Sequence, residues 1–411
     1  MNILSCFGTR SGFLKKIALA CAGAASLAPA LAHGQVQTVF YILMENRNFT
    51  SGTDLSGGAP LVGSAAAPYI NSLITPGNGN ATQVSYCTAY HNVLATPSGV
   101  NPSIHPSEPN YLWMESGSNF GITNDNEPYG TGHNVQNLIN FQIANPSLTT
   151  QNLSGLLQGA NISWKMYGEG TNLLTDTNTN SNTALGTNHL TATPELEANW
   201  TVPLASFSGS NVSYLNPYNS STQWNFACKH TGSLFFTASN GSNATTANTT
   251  TANPFSQNYP PLAQLETDLV NNTCARFNVV TPDQFNDMHT ALSAGFTYHG
   301  THYTGDLAQI AQGDNFLSIL VPQIMASRAY QNNGVIVIWT DETEGTTQND
   351  FNHTLMEIVI SPLAKGNAYA SNLNYTHSTD LNTLQKIFQV TGTTPTGFLN
   401  DRLSAHGELA D

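Results

Sequence analysis

Two hydrophobic runs in this chain stop abruptly at oxygen-bearing side chains. Thr38-Val39-Phe40-Tyr41-Ile42-Leu43-Met44 runs into Glu45-Asn46-Arg47-Asn48, and Val335-Ile336-Val337-Ile338-Trp339-Thr340 runs into Asp341-Glu342. Both runs read as strands, and in open α/β sheets ligands bind at the carboxyl ends of strands. Adjacent acids in such a place repel one another and lose hydration unless a cation or a donor neutralises them. Each cluster alone also reads as a capped or solvated turn. Two strand ends with the same chemistry favour a metal site. Glu45, Asn46, Asp341 and Glu342 supply only oxygen, which suits calcium, magnesium or manganese, whereas added histidines would favour zinc or iron.

Between these strands stands His105-Pro106-Ser107-Glu108-Pro109-Asn110-Tyr111. Its prolines keep the chain out of a helix until near Asn110, which puts Ser107 close to a helix N-terminus, a place that favours an anionic nucleophile or a phosphate. A serine hydroxyl bound to a divalent metal is activated for attack without a histidine base. The competing reading is an ordinary Ser N-cap. Of twelve histidines, His289, His299, His302, His353 and His377 are among those in the last third. His289 follows a strand, His353 precedes one and His377 precedes a helix, so these three are candidates for pocket groups.

The elements that must position these residues follow from periodicity. Val36–Met44, Ile162–Met166, Arg276–Val280, Gly334–Thr340 and Met356–Ile360 read as buried strands. Asn134–Ile143, Phe316–Ala326 and Leu381–Val390 read as amphipathic helices. The alternation predicts an α/β/α sandwich around a mostly parallel sheet. From about 170 to 260 the chain becomes rich in Asn, Thr, Ser and Gly around a more apolar island, Trp200 to Phe226. That stretch reads as a polar insertion, a surface elaboration or lid beside the site.

The chain has 411 residues and only 9% are charged. Arg10, Lys15 and Lys16 precede the apolar run Ile17 to Leu31 and the small-residue site Ala30-Leu31-Ala32, the order of a secretory signal peptide cleaved near Ala32. The expectation is a protein secreted or exported to the periplasm, with a catalytic domain over residues 33–411 and no stable membrane span. Beyond Ala32, eight of the 11 Lys and Arg face all 25 acids, for a net charge of −17. That balance argues against nucleic acid and anionic membranes as partners. It also means that a bound anion needs positive charge from something other than a generous Arg/Lys clamp. Export permits disulfides, and Cys228 with Cys274 would clip the ends of the polar segment, although either could pair with Cys87.

The succession Met44-Glu45-Asn46-Arg47, His105-Pro106-Ser107-Glu108-Pro109-Asn110-Tyr111, Phe120-Gly121-Ile122-Thr123, Asn286-Asp287-Met288-His289, Gly313-Asp314, Thr340-Asp341-Glu342, His353 before Ile358-Val359-Ile360-Ser361-Pro362, and His377-Ser378 resembles the phosphoesterase family of bacterial phospholipases C and secreted acid phosphatases. That family belongs to the alkaline phosphatase superfamily. The resemblance runs from about 36 to 395 with the insertion excluded. It implies a metal-dependent hydrolase that forms a phosphoenzyme on Ser107. It further implies a divalent metal held by Glu45, Asn46, Ser107, Asp341 and Glu342. By the same resemblance His289, His353 and His377 line a phosphate pocket, with Asp287 and Asn110 beside them, His105 next to the nucleophile and Asp314 as a further pocket candidate. Asn48 stands where the family usually has Ser.

The leading expectation is an acid phosphatase-type phosphomonoesterase, active at neutral to acid pH where a protonated His is available as the acid. A phospholipase C is the alternative, because the insertion aromatics Trp200, Phe207, Tyr214, Trp224, Phe226, Phe235 and Phe236 would serve as a lipid-facing lid as well as a small core. A phosphoinositide phosphatase falls between the two. An exported binding protein on a degenerate hydrolase fold is the reading from a different class. Substrates are accordingly small phosphate monoesters or phospholipid head groups.

Overall fold

The computed structural model describes residues 35–50, 58–93, 105–129, 149–171, 196–243 apart from 211 and 213, 246–344, 354–394 and 397–400. The expected signal segment, the expected helix Asn134–Ile143 and His353 lie outside the described residues.

A seven-stranded sheet organises the chain, in the order β11-β2-β10-β9-β1-β6-β3. Its strands are β1 (Thr38–Met44), β2 (Val84–Cys87), β3 (Trp164–Gly168), β6 (Phe277–Thr281), β9 (Gly334–Thr340), β10 (Glu357–Ile360) and β11 (Tyr369–Ser371). Two hairpins, β4 (Phe207–Ser210) with β5 (Gln223–Phe226) and β7 (Phe296–Tyr298) with β8 (Thr301–Tyr303), stand outside it. β1 pairs in parallel with β6 and β9, β3 with β6 and β11 with β2; β10 alone runs against its neighbours.

Central strands buried on both faces read as continuous Val, Ile, Tyr and Phe runs, which is why β9 falls where the sequence placed it. The other four expected strands are shifted or trimmed by one or two residues. Residues alternate between two cores: Val39, Tyr41 and Leu43 pack with Val337 and Trp339 on one face, and Phe40, Ile42 and Met44 pack with Ile336 and Ile338 on the other. Helices Glu108–Ser116, Leu153–Gly159 and His377–Phe388 cover the first face; Pro68–Leu73, Ala263–Asn271 and Gly305–Ala326 cover the second. The result is a three-layer α/β/α arrangement around a mainly parallel sheet.

Two helices are longer at their N-terminal ends than periodicity implied. Gly305–Ala326 starts eleven residues before Phe316, because Gly313 and Asp314 interrupt its apolar pattern. A Cβ at Gly313 would come within 2.3 Å of Met288, so the glycine lets this helix press against the turn that carries Asp287. His377–Phe388 begins ahead of Leu381 because Thr376 and Thr379 form a reciprocal capping box around a buried first turn.

The polar segment is more integrated than composition implied. Among its described residues, Trp200, Phe207, Tyr214, Trp224, Phe226, Phe235 and Phe236 are all buried. All but Trp200 belong to the same apolar cluster as Tyr41 and Trp339. The expected Cys228–Cys274 bridge is not formed: Cys87, Cys228 and Cys274 are free thiols. Cys228 packs on the Tyr41 face and Cys274 on the Ile42 face, so the sheet stands between them.

Candidate active site

Parallel pairing of β1 with β9, in register from Thr38 with Gly334 to Met44 with Thr340, brings their carboxyl ends side by side. Glu45 therefore meets Asp341 and Glu342, although nearly 300 positions separate them. One oxygen from each of the three carboxylates lies within 4.8 Å of the others, and all three side chains are buried. Asn46 ends β1 in the left-handed region, at φ 42°, a conformation asparagine tolerates. The turn aims its N–H at Asp341 Oδ1, 3.0 Å away. The end of the Asn46 side chain lies 2.7 Å from Glu342 and 3.3 Å from Glu45. With nitrogen inward it donates to both carboxylates; with oxygen inward the contact requires a cation between them.

Ser107 immediately precedes helix Glu108–Ser116, which starts with Pro at N2, a position where a missing N–H costs nothing. Its hydroxyl does not cap that helix. Instead Oγ lies 3.1 Å from Glu45 Oε2 and 3.1 Å from Glu342 Oε1. One turn on, Asn110 donates to Glu342 Oε2 at 2.8 Å and Tyr111 donates to Glu45 Oε1 at 2.9 Å. His105 Nδ1 is 2.8 Å from Glu342 Oε1.

Charge in this cluster is unevenly met. Burial and the charges of Glu45 and Glu342 push Asp341 well up, and Asp341 Oδ2 is buried without a hydrogen-bond partner among the described residues. Burial also lifts Glu342 to about 7, opposed by the hydrogen bond and charge of His105. Burial would raise Glu45 too, but His230, His289 and Lys229 outweigh it and hold this carboxyl far below its ordinary range. Three carboxylates, an amide and a hydroxyl converge, and among the described residues His230 stands against Glu45 and His105 against Glu342, while Asp341 Oδ2 has no such partner. That donor set fits a hard divalent ion.

His230 and Lys229 were not among the residues the sequence singled out. His230 Nε2 stands 2.9 Å from Glu45 Oε1 and Nδ1 3.3 Å from Asp287 Oδ2, with the ring stacked on Tyr111. Burial works against its charge, but Glu45 and Asp287 raise it to about 9. Lys229 binds Asp125 at 2.7 Å, and Asp125 also accepts from the Glu108 N–H that opens the Ser107 helix. One signal for them existed: Lys229-His230 sets a cation beside a histidine directly after the apolar island, in a chain with few cations.

The other expected site residues divide. Asp287 joins the cluster: its carbonyl accepts from Glu45 N at 2.8 Å and its carboxylate from His289 N. His289 is half-buried at the rim, its ring centroid 6.3 Å from that of His230. His377 is fully buried behind Asp341, with Nε2 2.6 Å from the Asp341 carbonyl and Nδ1 3.0 Å from Tyr90 Oη. Burial lowers it to about 4. Asp314 is elsewhere: its carboxylate accepts from Tyr69 N, Ile70 N and Tyr298 Oη and thereby caps helix Pro68–Leu73, so it is not a pocket residue. Arg47, the one cation next to an expected motif, points away from the acids and is spent on Asp306, Glu344, Gln309 and the Met288 carbonyl.

Fold and site together define an α/β protein with a buried oxygen-donor centre beside a serine at the carboxyl edge of a mainly parallel sheet. The model of the Phosphoesterase family matches residues 98–391, and the chain belongs to that family. Membership makes it a hydrolase. No curated protein matches the sequence. Among solved structures it is similar to an alkaline phosphatase superfamily protein from Vibrio parahaemolyticus, at 9% identity over 86% of this chain and 67% of that one, TM-score 0.39. It is similar to the lipoteichoic acid synthase LtaP from Listeria monocytogenes at 9% identity, over 90% of this chain and 75% of that one, TM-score 0.43. A protein of glycosaminoglycan metabolism from Bacteroides thetaiotaomicron is similar at 10% identity, over 89% of this chain and 80% of that one, TM-score 0.43.

Proposed function

We propose that this protein is an exported, metal-dependent phosphomonoesterase of the acid phosphatase type, with Ser107 as nucleophile. The observation that carries the reading is Ser107 Oγ, turned away from its own helix and set 3.1 Å from two carboxylates of the oxygen-donor cluster. Glu45, Asn46, Ser107, Asp341 and Glu342 would hold the ion. When bound, it supplies positive charge that makes the serine hydroxyl more acidic.

The protein groups then divide the remaining work. Ser107 Oγ attacks phosphorus and forms an Oγ–P bond as the bond to the leaving oxygen breaks. The hydroxyl proton passes to an adjacent carboxylate. Asn110 and Tyr111 keep Glu342 and Glu45 in place through their hydrogen bonds. His289 at the rim and His105 beside Glu342 are within the site's compass to give the departing alkoxide a proton. Water cleaves the phosphoserine, returns the proton to Oγ and releases phosphate. Lys229 and His230 add the cationic charge that the scarce Arg and Lys elsewhere do not.

The monoester reading is preferred to a phospholipase C because the aromatics that would form a lipid-facing lid are buried. Its test is turnover of an aryl phosphate, an aryl sulfate and phosphatidylcholine after loading with calcium, magnesium, manganese, zinc or iron. Release from the aryl phosphate should exceed the others, and Ser107→Ala should lower it by at least about 1,000-fold. Near-wild-type turnover in that variant, or cleavage of the diester alone, overturns the reading. Export rests on the charged and apolar pattern of residues 1–32, and N-terminal sequencing of the mature chain tests it.

A further inference from the structure

On the Tyr41 face of the sheet lies a second buried polar cluster, which the reaction above does not use. Asp380, in helix His377–Phe388, accepts from the Tyr41 hydroxyl, and Tyr90 Oη lies 2.6 Å from the same Oδ2. Glu357, on β10, accepts from the Cys87 thiol at 2.8 Å. Burial raises both carboxyls, Asp380 to about 6 and Glu357 well above the ordinary carboxylate range, and a hydrogen bond joins the two, so the pair retains a proton near neutral pH. A cavity of about 320 Å³ between β9, β10 and the helix is lined by both carboxyls and by Val337, Val359 and Leu384.

Tyr90 links this pair to the candidate metal centre. Its oxygen accepts from Trp339 Nε1 at 2.9 Å, and it has two possible takers for its single hydrogen: Asp380 Oδ2 at 2.6 Å and His377 Nδ1 at 3.0 Å. A backbone carbonyl only accepts, so the 2.6 Å contact with Asp341 places a hydrogen on His377 Nε2. If Tyr90 gave its hydrogen to Asp380, His377 Nδ1 would face a hydroxyl oxygen with nothing between them unless the ring carried a second proton. Among the described residues no carboxylate touches that fully buried ring to support such a charge. Asp380, by contrast, keeps the Tyr41 hydroxyl and the hydrogen shared with Glu357 even when Tyr90 turns away.

We propose that Tyr90 gives its hydrogen to His377 and acts as a positioning residue, holding the ring in its Nε2–H form with that hydrogen on the Asp341 carbonyl. The protonated Glu357–Asp380 pair is what frees the hydrogen. Asp341 is thereby anchored from behind at its carbonyl, while its carboxylate faces Glu45 and Glu342. The link to turnover rests on the proposed function; the hydrogen-bond assignment does not.

Nitrogen-15 NMR of the full chain labelled in histidine reads the tautomer directly. At pH 6 to 7 the expected His377 signature is a neutral ring with protonated Nε2 and an acceptor Nδ1. An Nδ1–H ring or an imidazolium overturns the proposal. Tyr90→Phe should mix the two tautomers, lower kcat by roughly 10- to 100-fold with KM little changed, and weaken binding of the metal alone in calorimetry by a similar factor, the range for groups that orient metal ligands. A Tyr90→Phe protein with an unchanged tautomer and unchanged kcat also overturns it. Asp380→Asn puts at the position shared by Tyr41 and Tyr90 either a neutral amide oxygen, a weaker rival for Tyr90's hydrogen than a carboxylate, or an amide nitrogen, which accepts nothing, so the Nε2–H signal of His377 should persist; loss of that signal counts against the proposal even where Tyr90→Phe does not fold. Failure to hydrolyse any ester would sink the phosphatase reading while the tautomer spectrum still decides this one.

Discussion

His230 Nε2 lies 2.9 Å from Glu45 Oε1, so a histidine from the polar segment is the direct counter-ion of the acid that ends the first strand. Aromatic stacking on Tyr111 and the Asp287 carboxylate fix the ring from two further sides. His230→Ala should remove the charge that holds Glu45 ionised and lower kcat by roughly 10- to 100-fold, the usual cost of losing a group that orients a metal ligand. Steady-state kinetics with the metal-loaded enzyme checks it; an unchanged kcat would show that Tyr111 alone suffices to hold Glu45.

That residue also marks where sequence reasoning reached its limit. β1 and β9 were recognisable because strands buried on both faces have no polar alternation to obscure them, and their parallel pairing by itself brings Glu45 to Asp341 and Glu342. Ser107 followed from one local stretch of chain, and Asn110 from the family resemblance. Lys229 and His230 depend instead on how a polar, aperiodic segment folds back through its buried aromatics, and no local pattern encodes that path. Asp314 entered as a pocket candidate through the family resemblance alone, and here its carboxylate satisfies two backbone N–H groups of a neighbouring helix.

Removal of metal should cost stability. Glu45, Asp341 and Glu342 lie together in a buried site, and a divalent ion that binds only the folded chain stabilises it by mass action, by about 2.7 kcal/mol at 100 times its Kd. A chelator should therefore lower Tm, and re-addition of the ion should restore it. Asp341→Asn should lose most of that response. A Tm indifferent to chelator and to every ion tried would contradict the assignment of the cluster as a metal site.

Arg47 should prove structural. Arg47 is buried, but the side chains of its partners Asp306 and Glu344 are 34% and 25% exposed, so Arg47→Met leaves two partly solvated carboxylates facing each other without their cation. Solvent screening brings the cost below that of a fully buried pair, to about 1–2 kcal/mol. The expected result is a clear fall in Tm with KM for the phosphate ester almost unchanged at a temperature where the variant is folded. A KM rise without a Tm loss would instead make Arg47 a substrate clamp.

Asp314 gives the fold a pH dependence separate from the active site. Burial raises its carboxyl from 3.8 to about 6, although three hydrogen-bond donors oppose the rise. The folded state therefore holds this proton more tightly than the unfolded chain does. Below about pH 4 both states are protonated and the group costs nothing; as pH rises toward 6 the unfolded chain ionises first and stability falls, by on the order of 3 kcal/mol. Asp314→Asn cannot ionise, so the variant should be less stable than wild type at pH 4, having lost an acceptor for helix Pro68–Leu73, and should recover relative to wild type by pH 6.5. Urea unfolding at the two pH values measures the difference. If the gap between the two proteins stays constant, the three donors keep Asp314 ionised in the fold and its role is that of an ordinary helix cap.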